Sequence, residues 1–190
     1  VLPLAVLVLV IVLVAGWFGF VPGVSDVMGA RSPKDLGVKW SAADYESYKL
    51  KTGTTFQNFT NAPDNPSKPG KKTVFADPKT VSDLSLTQEQ ITAAINSIDW
   101  SWMPASDVQV RLSNNTVEVS GKLQLEHIEQ FVNFIGGVGY SSEDVSKAAN
   151  LGRKLVSGGA FYAKGTSSVT DNVLTLDLQE ITIGRYAVPI

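Results

Sequence analysis

The residues able to do chemistry are few. The chain has one histidine, His127, and no cysteine in 190 residues. A serine triad would therefore have to recruit His127 from a helix, and no serine stands in the strand-to-helix setting of a nucleophile elbow. A metal site fares no better, because no second histidine and no thiolate can join His127, which sits between Glu126 and Glu129 as a surface residue would. Adjacent acids such as Glu143-Asp144 are explained by the favourable field at a helix start. Gly136-Gly137-Val138-Gly139 follows a helix and lacks the lysine of a phosphate loop. With no cofactor motif, the chain reads as non-catalytic. Its net charge of -2 excludes the concentrated basic surface of a nucleic-acid binder.

The elements that would carry any other function begin with residues 1–22. Val1 to Val21 contains no charged residue and would span roughly 30 Å as a helix, the thickness of a bilayer core. The run is too long for a signal peptide, and Met28-Gly29-Ala30 makes a poor cleavage site. The expectation is a single transmembrane helix. Trp17, Phe18 and Phe20 would then lie at the headgroup boundary, before Pro22-Gly23 ends the helix. Since about 170 residues follow and none precede, the C-terminal part is expected on the extracytoplasmic side of a cell membrane.

Residues 23–79 read as a juxtamembrane connector, a short helix and a Pro-rich loop. Ser25 to Lys39 has the mixed charge of a solvated tether. Ser41 caps a helix carrying Tyr45 and Tyr48 that ends near Thr52-Gly53. Beyond it, Pro63, Pro66, Pro69 and Pro78 punctuate a polar stretch with Lys68, Lys71 and Lys72. Asn58 and Asn114 each begin an N-glycosylation triplet.

Residues 80–190 read as an α+β domain, an antiparallel sheet with helices packed on it. Val81, Leu84 and Leu86 suggest a strand, and Thr87 to Gln90 form a capping box before a helix whose Ile91, Ala94, Ile95 and Ile98 make an apolar face for the sheet. Val108, Val110 and Leu112 alternate with polar residues, Asn114-Asn115 supplies a turn, and Val117, Val119, Leu123 and Leu125 continue the alternation, with Gly121 at a bend or bulge. Glu126 to Ile135 reads as a helix, and Ser141 or Ser142 caps another, with Val145, Ala148, Ala149, Leu151 and Leu155 along one side, that ends at Ser157-Gly158-Gly159. Two strands close the domain, Ala160 to Val169 and Val173 to Ile183, joined at Thr170-Asp171-Asn172, after which Gly184 to Pro189 leaves the sheet. Trp40, Trp100 and Trp102 are the candidates for a partner or ligand surface.

The N-terminal anchor, the Leu86-Thr87-Gln88-Glu89-Gln90-Ile91 helix start leading to Asn96, the Asp107-Val108-Gln109-Val110 and Val117-Glu118-Val119-Ser120-Gly121 strands, and Leu178 to Arg185 running into Val188-Pro189 resemble a group of poorly characterised bacterial membrane-anchored proteins. Their extracytoplasmic domain is similar to tubular lipid-binding (TULIP-like) domains. The resemblance implies a curved sheet wrapping a long helix around an apolar cavity. It covers about Thr80 to Ile190 and names no ligand residue. Such domains continue past the valine-proline step, whereas this chain stops at Ile190. Two functions follow as expectations: a membrane-anchored binder of lipid or another apolar ligand, or an accessory subunit of a larger membrane protein complex.

Overall fold

The computed structural model describes residues 2–56, 84–99, 103–126, 128–129, 131, 142–156, 158–170 and 173–190. Trp100, Trp102, His127, Asn58, the prolines from Pro63 to Pro78, the lysines among them, Val81, the glycines from Gly136 to Gly139, most of the helix expected from Glu126 and the turn at Asp171-Asn172 lie outside these residues.

Helix α1 covers Leu2–Phe18. Its 17 residues make about 25 Å at 1.5 Å per residue, short of the roughly 20 residues that a bilayer core requires. No helix among the described residues is long and apolar enough to cross a membrane. This overturns the expected transmembrane helix, and with it the single-pass, extracytoplasmic placement. The physical reason lies at the helix end. Gly19 takes φ +100°, a conformation that few other residues accept, and turns the chain away from the axis. The Arg185 amide then donates to the Phe18 carbonyl at 3.2 Å. Leu2 to Val21 is thus one short helix and a tightly packed corner.

That corner continues into α2 (Val24–Val27), whose Val24 packs against Gly16. The stretch expected to be a solvated tether is instead part of the core. Ser25, Ala30, Leu36 and Val38 are all buried, and Arg31 Nε donates to the Gly158 carbonyl at 3.3 Å. Helix α3 (Ala42–Thr52) has Ser41 as N-cap and Gly53 in the left-handed region as C-cap, where the sequence placed them. The rings of Tyr45, Tyr48 and Phe56 stack in succession at 6.5 and 6.3 Å, so this aromatic set packs on its own segment.

The sheet is a five-stranded antiparallel meander in the order β1-β2-β3-β4-β5, with β1 at Ala105–Ser113, β2 at Thr116–Leu123, β3 at Ala160–Thr170, β4 at Val173–Ile183 and β5 at Tyr186–Ala187. Asn114 and Asn115 both have positive φ, as the tight turn that matches strand twist requires. The β1 register shifts between Ser106 and Gln109, opposite Gly121, where a Cβ would crowd the Ser106 carbonyl and the Phe161 ring. The glycine therefore marks a bulge. A second shift, between Lys164 and Gly165, leaves Gln179 of β4 as an extra residue. The sequence carries its trace: apolar positions fall on even numbers through Leu178 and on odd numbers from Ile181, and the extra residue returns both sets to one face. Leu84 and Leu86 lie in no strand. The tail does not leave the sheet after Ile183, because Tyr186 and Ala187 pair back onto β4.

Helix α4 (Gln88–Asn96) has the capping box expected at Thr87 and Gln90. Its seat differs from expectation. Gln90, Thr92, Ala93 and Ala94 are the buried positions, and Ile91, Ile95 and Ile98 are only half-buried. The helix lies along the edge of β1. Thr92 Oγ1 accepts from the Val110 amide at 3.0 Å, Asn96 Oδ1 accepts from the Val108 amide at 3.0 Å and Asn96 Nδ2 donates to the Val108 carbonyl at 2.7 Å, and Gln88 Oε1 accepts from the Leu112 amide at 3.2 Å. Four helical residues rise about 6 Å and two strand residues about 6.8 Å. One helix face can therefore match every second residue of a strand, and these polar side chains take the place of a neighbouring strand. Helix α5 (Ser142–Leu155) precedes β3 and is tied through Arg153, whose guanidinium forks onto Glu129 at 2.7 and 2.9 Å.

Gly184 holds α1 to the sheet. Its φ is +60°, and a Cβ there would strike the Phe18 carbonyl. Gly184→Val is expected to cost about 2 kcal/mol, from the left-handed backbone and the clash together. Hydrogen exchange of the Arg185 amide should accelerate with it; an unchanged rate would show that the corner does not depend on this contact.

Candidate functional site

Among the described residues, the polar side of the sheet gathers a dense set of charged groups. Register places Gln109 and Arg111 of β1, Glu118 and Ser120 of β2, Tyr162 and Lys164 of β3, and Glu180 and Thr182 of β4 on one face. Sequence alternation assigned this face to water. Segment 30–38 covers much of it: Leu36 and Val38 form a cluster with Tyr162, and the amides of Leu36 and Val38 both donate to Gln109 Oε1, at 2.9 and 3.4 Å.

Glu118 is the centre of this arrangement and is 7 % exposed. The Tyr162 hydroxyl donates to Oε1 at 2.6 Å, Arg111 Nε donates to Oε2 at 2.6 Å, and Lys34 Nζ lies 3.9 Å from Oε1. The Lys34 ammonium also stands 3.7 Å from the centre of the Tyr162 ring, a favourable cation–π distance. The Tyr162 hydrogen bond, helped by the Arg111 and Lys34 charges, holds the Glu118 carboxyl below its ordinary value against the opposing effect of burial. Burial first, then the bond to Glu118, pushes the Tyr162 phenol well above its ordinary value. Both groups thus move away from neutral pH. The pair keeps a fixed charge and a fixed proton, the opposite of what acid–base exchange needs.

Beside this network lies a cleft of about 240 Å³ between segment 29–34 and the ends of β3 and β4. Lys34, Tyr162, Glu180, Thr182 and Arg185 supply its polar lining, so it is not the apolar cavity that a lipid chain would need. Among the described residues no cluster of three or more His, Asp or Glu side chains could hold a metal ion.

The residues singled out by sequence do not meet at this place. Trp17 carries the Arg185 guanidinium over its ring at 3.9 Å, Phe18 stacks with Phe20 at 6.5 Å, and Phe20 lies 6.2 Å from Tyr186. These three rings belong to the corner that joins α1 to the β4–β5 turn. Trp40 is 41 % exposed just before α3 and does not line the cleft. Sequence reasoning passed over Glu118, Arg111, Lys34 and Tyr162. The available signal was a glutamate and an arginine facing each other across the Asn114-Asn115 hairpin.

The other prominent surface is α1 itself. Val6, Leu7, Val8, Leu9, Val10 and Ile11 are each between 49 and 58 % exposed. Consecutive residues point about 100° apart around the axis, so the apolar surface faces every direction. No family model, no curated protein and no solved structure matches the chain, and the likeness to tubular lipid-binding domains rests on sequence pattern alone.

Proposed function

We propose that this protein is a non-catalytic accessory subunit of a larger assembly, in which apolar helices of partner proteins enclose α1. One observation carries the reading: six consecutive apolar residues of α1, Val6 to Ile11, stand exposed around the whole helix. A helix apolar on all sides is stable only where it is surrounded, and a single groove covers only one stripe. Within this reading the rest of the chain is the mount. Gly184 and Arg185 grip the base of α1, the sheet holds that grip, and the fixed charges around Glu118 lock segment 30–38 beneath it. The polar lining of the cleft beside Tyr162 gives less support to an apolar-ligand binder.

Photo-crosslinking in the native cell tests the proposal. A photoreactive residue is placed in turn at Leu7, Val8 and Leu9, three directions around the helix. The expected result is the same partner proteins captured from all three positions. Capture of lipid alone, or of partner protein from only one position, would overturn it.

A further inference from the structure

The two long edges of the sheet are treated differently. The free side of β1 is occupied by Gln88, Thr92 and Asn96 of α4. The outer side of β4 is not. Strand β5 pairs only with Thr182 and Ile183, and the Val188 amide reaches the Ile181 carbonyl at 2.9 Å. Among the described residues nothing pairs with that side from Val173 to Glu180. Thr175, Asp177, Leu178, Gln179 and Glu180 are exposed there, and Leu178 is 47 % exposed.

The chemistry of this edge is directional. The extra residue at Gln179 places Asp177, opposite Thr166, and Glu180, opposite Lys164, on the same face of the sheet, while Leu178 and Ile181 share the other. An added strand would thus meet acid on one side and apolar surface on the other. A second copy of β4 would bring like charges together and be disfavoured. Of the devices that blunt natural edges, lysine and proline are missing from VLTLDLQEITI, and the bulge at Gln179 leaves the register regular from Val173 to Leu178.

We propose that the outer edge of β4 from Val173 to Glu180 is a strand-addition site for an extended segment of a partner protein, with Lys or Arg at alternate positions and apolar side chains between them. Backbone hydrogen bonds would supply the attachment and the two acids the choice of sequence. This site is separate from α1, and neither proposal depends on the other.

The test uses the full chain and a labelled seven-residue peptide alternating lysine and valine, read by fluorescence anisotropy. Saturable binding is expected. A peptide methylated on alternate backbone amides should lose it, because it can no longer donate to the edge. Charge reversal at Asp177→Lys with Glu180→Lys, two exposed positions whose fold is checked by circular dichroism, should weaken binding about tenfold. Absence of binding, equal binding of the methylated peptide, or equal binding of a glutamate–valine peptide would each overturn the proposal. Deleting the apolar character of α1, as in Leu9→Lys, should leave the peptide affinity unchanged.

Discussion

Asn96→Leu is expected to destabilise the fold by about 3 kcal/mol, since a buried amide and carbonyl would both lose their partner at roughly 1–3 kcal/mol per group. The Asn96 side chain donates to the Val108 carbonyl at 2.7 Å and accepts from the Val108 amide at 3.0 Å. Val108 is 4 % exposed, so water cannot readily take over. Leucine preserves bulk and helix propensity, which isolates the polar loss. Thr92→Val, close to isosteric, should cost about 1–2 kcal/mol by leaving the Val110 amide without its 3.0 Å acceptor and removing the longer, 3.4 Å bond that Thr92 Oγ1 donates to the Val110 carbonyl. Chemical denaturation gives the energies, and hydrogen exchange locates them: the Val108 amide should speed up in the first variant and the Val110 amide in the second. Wild-type stability together with slow exchange at both sites would sink the edge-capping role of α4.

Glu118→Ala should cost about 2–3 kcal/mol, because it leaves the buried Tyr162 hydroxyl without its acceptor, while Arg111, 41 % exposed, keeps access to water. The pH dependence follows from the directions of the two shifts. The folded-state value of Glu118 is depressed, so its contribution is complete above the ordinary glutamate value of 4.5 and is lost as pH falls through the folded value. The folded-state value of Tyr162 is raised, so its contribution is complete below the ordinary tyrosine value of 10.0 and is lost as pH rises beyond it. Thermal melts across pH should therefore show an acid limb that Glu118→Gln flattens and an alkaline limb that Tyr162→Phe flattens. Acid and alkaline limbs unchanged by both substitutions would mean that the network contributes nothing to stability.

Local signals were legible in the sequence. Ser41, Thr87 and Gln90 sit at their caps, and Asn114-Asn115 makes its turn, because each acts on neighbours a few residues away. Gln88, Thr92 and Asn96 were not legible as an edge cap. Their partners lie 24, 18 and 12 residues onward, and polar residues on a helix read as its water-facing side. Segment 25–39 misled for a similar reason. Its scattered charges look solvated, yet Leu36 and Val38 are apolar plugs, and the Gln109 that holds them is more than 70 residues away. Composition said that residues 1–21 are apolar, and it said nothing of the Gly184 contact that sets where α1 stops. Glu118 was hidden by alternation, which names a face without saying what comes to cover it.

The grip of Gly184 and Arg185 on the Phe18 carbonyl also sets an order of events during synthesis. Helix α1 leaves the ribosome before its seat exists, since the β4–β5 turn is made more than 160 residues later. A contact of that sequence separation is slow to form, and apolar surface waiting for it is prone to aggregate. Helix α1 thus emerges well before the contact that fixes it in place. Between those moments its apolar surface is open to aggregation unless something covers it.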